Sequence, residues 1–241
     1  MNTNDYTDDE LHTLFHNDHE GAFFGYLSQS RHSKDKMEFL YKWLNPAPSD
    51  YILECGSSSG KTSIDLSNRS GCRCLGIDFD DEAIHISSAM CDSHFPWLKE
   101  RCIFVIGDLE TMEFDHKITK ILMPDFTEHI PDRILIAILE NIRAQFNDVL
   151  LYIYTPNRSH VFEILKHRNI LLKNPSGHIN VKTKNELIKI LEKTGWTIDR
   201  NTWRCSSMGY VKPFELVLGP LPLVGKYFQR RIAIIAKPKP N

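Results

Sequence analysis

From residue 50 onward, short runs rich in β-branched and aromatic residues alternate with stretches of helical periodicity. That alternation limits the fold more than any other feature of the chain. Strands are expected over residues 51–55, 73–78, 102–107, 118–123, 149–154, 196–204 and 231–236. Between them lie a short helix running to Leu66, a second over residues 81–90, and a third over residues 131–145. In the third, Ile134, Leu135, Ile138, Leu139 and Ile142 recur at helical spacing, and Pro131 suits a first turn. Thr183-Lys-Asn-Glu186 has the form of a capping box, and Gly195 can close the helix it opens. Strands that alternate with helices pair in parallel and carry helices on both sheet faces. The last two strands have no helix between them, so the final one can return antiparallel beside its predecessor. The expected architecture is α/β: a three-layer, doubly wound sheet of seven mostly parallel strands with the last antiparallel.

A length of 241 residues with 41% apolar side chains supplies a core for one domain of ordinary size, or a domain with a small cap. Residues 1–45 are mixed and helical in pattern and are expected to form that cap. Residues 46–241 form the α/β unit, with long insertions near 156–182 and 205–230. The second insertion holds Pro213, Gly219, Pro220, Pro222 and Gly225 and is too weak in periodicity to predict a regular element. Long connections of this kind inside a compact domain usually serve as lids. The insertions and cap carry Phe15, Phe23, Phe24, Tyr26, Phe162, Trp203, Tyr210, Phe214, Tyr227 and Phe228, which predicts an aromatic, capped pocket.

Lys and Arg number 29 against 31 Asp and Glu, for a net charge of −2, which argues against a phosphate-backbone binder. The basic run Gln229-Arg230-Arg231 and the tail Lys237-Pro-Lys-Pro240 are expected to be a solvated strand end and a frayed terminus. Six cysteines lie at spacings that match neither zinc nor redox motifs, so all are expected as reduced thiols. Residues 1–10 are polar and acidic, and no apolar run approaches the ~20 residues needed to cross a bilayer. A soluble, cytoplasmic chain is expected.

The most informative segment is Leu53-Glu-Cys-Gly56-Ser57-Ser58-Ser59-Gly60-Lys61-Thr62. Small residues follow a strand and precede a helix, where backbone can approach a ligand and helix-terminal N–H groups are exposed. Gly60-Lys61-Thr62 matches the closing triplet of a P-loop, but Cys55 stands where that motif needs its first glycine. A dinucleotide fingerprint also fails, because Gly56 and Gly60 enclose three residues and no third glycine follows at the right gap. The acid Glu54, two residues before Gly56 and six before Gly60, resembles the first motif of class I, Rossmann-like S-adenosylmethionine-dependent methyltransferases. Ser58 stands where a middle glycine often sits. Three further marks lie at expected strand ends: Asp78, Asp108 in Gly107-Asp108-Leu109, and the run Met123-Pro-Asp-Phe-Thr-Glu-His-Ile130. The resemblance spans roughly residues 35–204.

What the resemblance implies is a transferase that uses S-adenosylmethionine and releases S-adenosylhomocysteine. Glu54, Gly56, Ser57, Ser58 and Gly60 would hold the aminocarboxypropyl end. Asp78 would accept from the ribose hydroxyls, Phe79 would lie against the adenine, Asp108 and the Leu109 amide would meet its edge, and Pro124 would complete the wall. The implied acceptor is a small molecule methylated at oxygen. An oxygen nucleophile needs a base, and His129 and His178 are the candidates, since a neutral imidazole suits that task near pH 7. Asp125, Glu128 and His129 form D-x-x-E-H, a run that holds a divalent ion in some such enzymes and none in others. With Asp in place of the first Glu, no metal is assigned. Two alternatives stand beside this reading: an RNA or protein methyltransferase, and a cofactor-binding subunit without transferase activity.

Overall fold

The computed structural model describes residues 19–28, 30–115, 117–167 and 178–240. Two helices, α1 (His19–Leu27) and α2 (Arg31–Leu44), precede the sheet. The sheet elements then alternate as expected: β1 (Tyr51–Cys55), α3 (Lys61–Ser70), β2 (Arg73–Asp78), α4 (Asp81–His94), β3 (Cys102–Ile106), β4 (Lys120–Pro124), α5 (Asp132–Gln145) and β5 (Leu150–Pro156). After them come α6 (Val161–His167), α7 (Lys184–Lys193), β6 (Trp196–Arg204), α8 (Lys212–Leu218) and β7 (Arg231–Pro238).

The strand order is β3-β2-β1-β4-β5-β7-β6. β1 pairs in parallel with both β2 and β4, while β7 lies antiparallel between β5 and β6. β1 is buried along its whole length, as a central parallel strand covered on both faces must be. Its alternation divides the core: Leu53 joins α5 and α7 side chains such as Leu139 and Leu187, whereas Ile52 joins Ile64 of α3 and Phe23 of α1 on the other face. The capping box at Thr183 forms as read, with Glu186 bonded back to the Thr183 backbone.

Several expectations are revised. α3 continues past Leu66 to Ser70, because Gly71 at φ 75 supplies the left-handed cap that ends it. The connection after β6 is partly regular, containing α8 and a 3-10 turn at Gly225–Tyr227. Lys212 and Pro213 open α8, and its inward anchor is a polar residue, Glu215, so apolar periodicity could not reveal it. The insertion after β5 contains α6, and its residues 168–177 lie outside the described residues, as do Phe15 and the rest of residues 1–18. The tail is paired rather than frayed as far as Lys239, whose carbonyl accepts from Arg143. All six cysteines are free. Among the described residues no helix is long and apolar enough to cross a membrane.

Candidate functional site

In this topology the chain runs outward from β1 to β3 and then returns to β4 on the other side of β1. Such a reversal opens a crevice at the carboxyl ends of the two central strands. A cavity of about 430 Å³ lies there. The turn after β1, the end of β2, the turn after β3 and the loop after β4 all contribute to its wall.

The turn after β1 is built on left-handed backbone. Gly56 has φ 69 and Gly60 φ 71, and Ser58 takes φ 47 between them. A Cβ on Gly56 would lie 2.5 Å from Phe126 Cδ2, so glycine lets that cavity ring rest on the turn. Ser58 occupies the conformation glycine would adopt freely, at a cost of roughly 1–2 kcal/mol for an L-residue. Its backbone N–H is held by Asp78 Oδ2 at 2.8 Å, which ties the turn to the end of β2. Ser57 Oγ and Ser59 Oγ are buried and make no hydrogen bond to any described residue. Two such hydroxyls on a cavity wall fit a polar ligand, since a buried donor left unmade costs about 1–3 kcal/mol.

Each acid expected at the site has a protein partner as well. Glu54 is buried, and its Oε2 accepts from Ser63 N at 3.0 Å and Ser63 Oγ at 2.6 Å, joining β1 to the first turn of α3. Burial outweighs those bonds and pushes its pKa up to about 7. Asp78 also accepts from Asp80 N. Asp108 accepts from Glu110 N and from Thr111 Oγ1, both at 2.9 Å, so its carboxylate organises the turn after β3. Phe79, Leu109 and Pro124 line the cavity with these acids; Gly60 caps α3 immediately behind its wall.

The loop after β4 carries a charge cluster that sequence reading missed. Asp125, at φ 53, accepts from Lys36 Nζ of α2 at 2.5 Å and from Arg231 at the start of β7. Burial alone would raise its pKa, yet Arg231 and Lys36 hold the carboxyl well below the usual carboxylate range. Arg231 is thus an ion-pair partner inside the molecule and not part of a solvated strand end. Glu128 is fully buried; its Oε2 accepts from Thr155 Oγ1 while Oε1 has no hydrogen-bond partner among the described residues. Burial and then the neighbouring Asp125 raise its pKa.

His129 lines the cavity. His178 does not, but its ring stands edge-on to that of His129 with centroids 5.1 Å apart. Burial and then His129 hold the His178 pKa down to about 4, so this imidazole is neutral at pH 7. The donor atoms of Glu128, His129 and His178 lie within 4.8 Å of one another, a carboxylate and two imidazoles of the kind that ligate divalent transition ions. Asp125 is not in that set, and its two oxygens accept from Lys36 and Arg231.

Lys61 and Lys36 bring ammonium groups to the wall, and burial lowers the pKa of Lys61. The triplet Gly60-Lys61-Thr62 marked Lys61 as notable; nothing in the periodicity of α2 marked Lys36. The apolar side is formed by Phe79, Leu109, Phe126, Ile130, Ile134 and Ile138. Among the described residues, none of the expected cap and insertion aromatics lines the cavity. Phe23 packs in the core, and Tyr210 and Phe214 face solvent.

A family model described as a methyltransferase domain matches residues 25–201 of this chain. No curated protein matches it significantly by sequence. Among solved structures, a geranyl diphosphate C-methyltransferase from Streptomyces coelicolor A3(2), crystallised with Mg2+, geranyl diphosphate and S-adenosyl-L-homocysteine, is 13% identical. That match covers 86% of this chain and 78% of the other, with a TM-score of 0.61. The magnesium protoporphyrin IX methyltransferase from Synechocystis PCC 6803 is 14% identical over 85% of this chain and 83% of its own, with a TM-score of 0.63. A mitomycin 7-O-methyltransferase is 14% identical over 80% of this chain and 50% of its own, with a TM-score of 0.59. At these identities the likeness is one of fold.

Proposed function

Because the chain belongs to the methyltransferase-domain family, we propose that it binds S-adenosylmethionine in the cavity beside β1 and transfers the methyl group to a small-molecule acceptor at oxygen. One observation carries this reading: the glycine–serine turn, Asp78 and Asp108 come from three neighbouring strand ends and meet on one cavity wall. When bound, the cofactor supplies an already activated electrophilic methyl group, so the protein mainly binds, orients and excludes water.

Ser57 and Ser59 would offer their unpartnered hydroxyls to the aminocarboxypropyl end, and Lys61 its ammonium group to the carboxylate. Glu54 would act behind them, holding the first turn of α3 in place through Ser63. Asp78 would accept from the ribose hydroxyls while keeping the Ser58 N–H. Phe79 would lie on the adenine, with the Leu109 amide and Asp108 at its edge. His129, on the wall, would take the proton from an acceptor hydroxyl. His178 would support it from behind as a neutral imidazole that fixes the ring, and Ile130, Ile134 and Ile138 would shape an apolar acceptor site.

Calorimetric titration with S-adenosylmethionine and S-adenosylhomocysteine, with and without Mg2+ or Mn2+, tests the reading. Saturable one-to-one binding of both is expected. No heat and no thermal stabilisation with either ligand would refute it. A metal-dependent change in affinity would bring Glu128, His129 and His178 into the site as ligands.

A further inference from the structure

Fourteen large apolar side chains are exposed among the described residues, and eight of them fall between residues 210 and 227. They lie just before α8, on it, and along the turn that follows it. Leu223 is 90% exposed, Val217 69% and Phe214 65%, while Pro220 through Val224 are exposed without interruption. A run of that kind describes a projecting tip and not a groove. An apolar patch of this extent on a water-soluble surface marks a contact with something else.

The tip is held in this form. Glu215 of α8 is fully buried, with Oε1 3.1 Å from Nε2 of the equally buried His160, and its other oxygen accepts from Ser206 N. Asn157 Nδ2 donates to the carbonyls of Lys226 and Gln229, and Gln229 Nε2 donates to that of Gly219 at 2.8 Å. With Glu215 fixed inward, residues two positions away on either side, Pro213 and Val217, point outward at 100° per residue. Leu223 sits at φ 70, a conformation costing an L-residue roughly 1–2 kcal/mol, and its side chain projects almost wholly into solvent. Polar anchors underneath and apolar groups outside reverse the usual arrangement of a loop.

Charge distinguishes among possible occupants. Between residues 206 and 229 the charged side chains are Lys212, Glu215 and Lys226. Glu215 is turned inward, so the exposed charges are two lysines that flank the apolar tip with no exposed acid among them. Apolar side chains that enter an interface, flanked by lysines that remain at headgroup level, are the requirements of a peripheral contact with an anionic bilayer. A second protein would need matched polar groups across about 800 Å² per partner, whereas every exposed residue from 212 to 227 is apolar except the two lysines and the Tyr227 hydroxyl.

We propose that residues 210–227 form a membrane-docking tip that inserts apolar side chains, Leu223 foremost, into the surface of an anionic lipid bilayer. Arg231, immediately after the tip, pairs in register with Pro156 at the carboxyl end of β5, the same end of the sheet at which the cavity lies. Docking through the tip therefore turns that end of the molecule toward the lipid. The proposal stands apart from methyl transfer and does not depend on it.

Sedimentation with phosphatidylcholine vesicles, with and without phosphatidylglycerol, tests it on the full chain. The protein is expected to sediment with the anionic vesicles, and less so as salt is raised. Leu223→Asp together with Val217→Asp should abolish co-sedimentation, and Lys212→Glu with Lys226→Glu should reduce it about tenfold or more. All four positions are exposed, so unchanged circular dichroism and melting are expected of these variants. Trp97→Gln, which removes an exposed ring on α4's side of the sheet, should sediment like the parent. A parent protein that stays in the supernatant with every vesicle overturns the proposal. So does a concentration-dependent dimer abolished by Leu223→Asp, which would make a second copy the occupant.

Discussion

Asp125→Asn isolates the charge that joins α2, the loop after β4 and the start of β7. Asparagine tolerates the left-handed backbone at φ 53, so the substitution removes charge with little change of shape. Lys36 and Arg231 keep only 12% and 18% of their side-chain surface exposed, and would lose the carboxylate they share, with Glu128 Oε1 still 4.0 Å from Arg231. Removing one partner of a buried pair costs roughly 3–5 kcal/mol. The Asp125 side chain retains 26% exposure and Arg231 keeps Glu128 nearby, so a cost below that range, about 2–3 kcal/mol, applies. At about 2–4 °C per kcal/mol for a chain of this size, the melting midpoint should fall about 4–12 °C at pH 7. Thermal unfolding followed by circular dichroism reads this directly. Arg231→Gln and the double variant complete a cycle whose coupling should be about 1–3 kcal/mol. The pH dependence has a definite sign. Because the folded pKa lies below the unfolded value near ~3.9, the contribution is complete at neutral pH and fades as pH falls below about 4. An Asp125→Asn protein that melts within about 1 °C of the parent at pH 7 would show that the two cations do not need the Asp125 carboxylate and refute the reasoning.

Glu54, raised to about 7 in the fold against about 4.3 in the unfolded chain, should destabilise the protein progressively as pH rises through that window. Glu54→Gln should therefore gain on the parent between pH 5 and pH 8, by up to about 3 kcal/mol in denaturant melts; parallel curves would contradict the shift. His178, held down to about 4, acts in the opposite sense: its contribution is present above about 6.5 and is lost as pH falls toward 4. His178→Asn should remove that acid sensitivity, which paired melts at pH 7 and pH 4.5 would detect. Asp78→Asn should weaken S-adenosylhomocysteine binding about 10- to 100-fold in calorimetry, the loss of charged hydrogen bonds worth about 1.5–3 kcal/mol; an unchanged Kd removes Asp78 from the ribose. Gly60→Ala would place a Cβ 2.6 Å from Phe104 Cζ and 2.8 Å from Ser87 Cβ at φ 71. A loss of about 2–5 kcal/mol in a urea melt is expected from left-handed strain plus overpacking, and a loss below about 0.5 would mean the turn can be rebuilt without glycine.

The alternation of strand and helix was legible because each buried strand and amphipathic helix writes its own period into the chain. All seven strands occur where that period put them, within a residue or two at their ends. Local chemistry also revealed the capping box at Thr183 and the glycine turn after β1, since both depend on residues within a few positions of one another. α8 was not legible, because the contact that holds it inward is a buried pair, His160 with Glu215, formed by residues 55 positions apart.

Local period and short-range chemistry therefore carried the set of elements, the mostly parallel sheet they form and the four strand-end marks that line one cavity. Long-range packing sets which groups share that cavity and in what state. It brought Lys36 across to Asp125, 89 residues away, and Arg231 to the same carboxylate from 106 residues away. It set His129 on the wall with His178 behind it, and turned Tyr210, Phe214 and Tyr227 of the last insertion outward to solvent. Periodicity records only whether a side chain faces the core of its own element. Which distant partner it meets there, and how far burial then shifts its proton, arises only when the strands take the order β3-β2-β1-β4-β5-β7-β6.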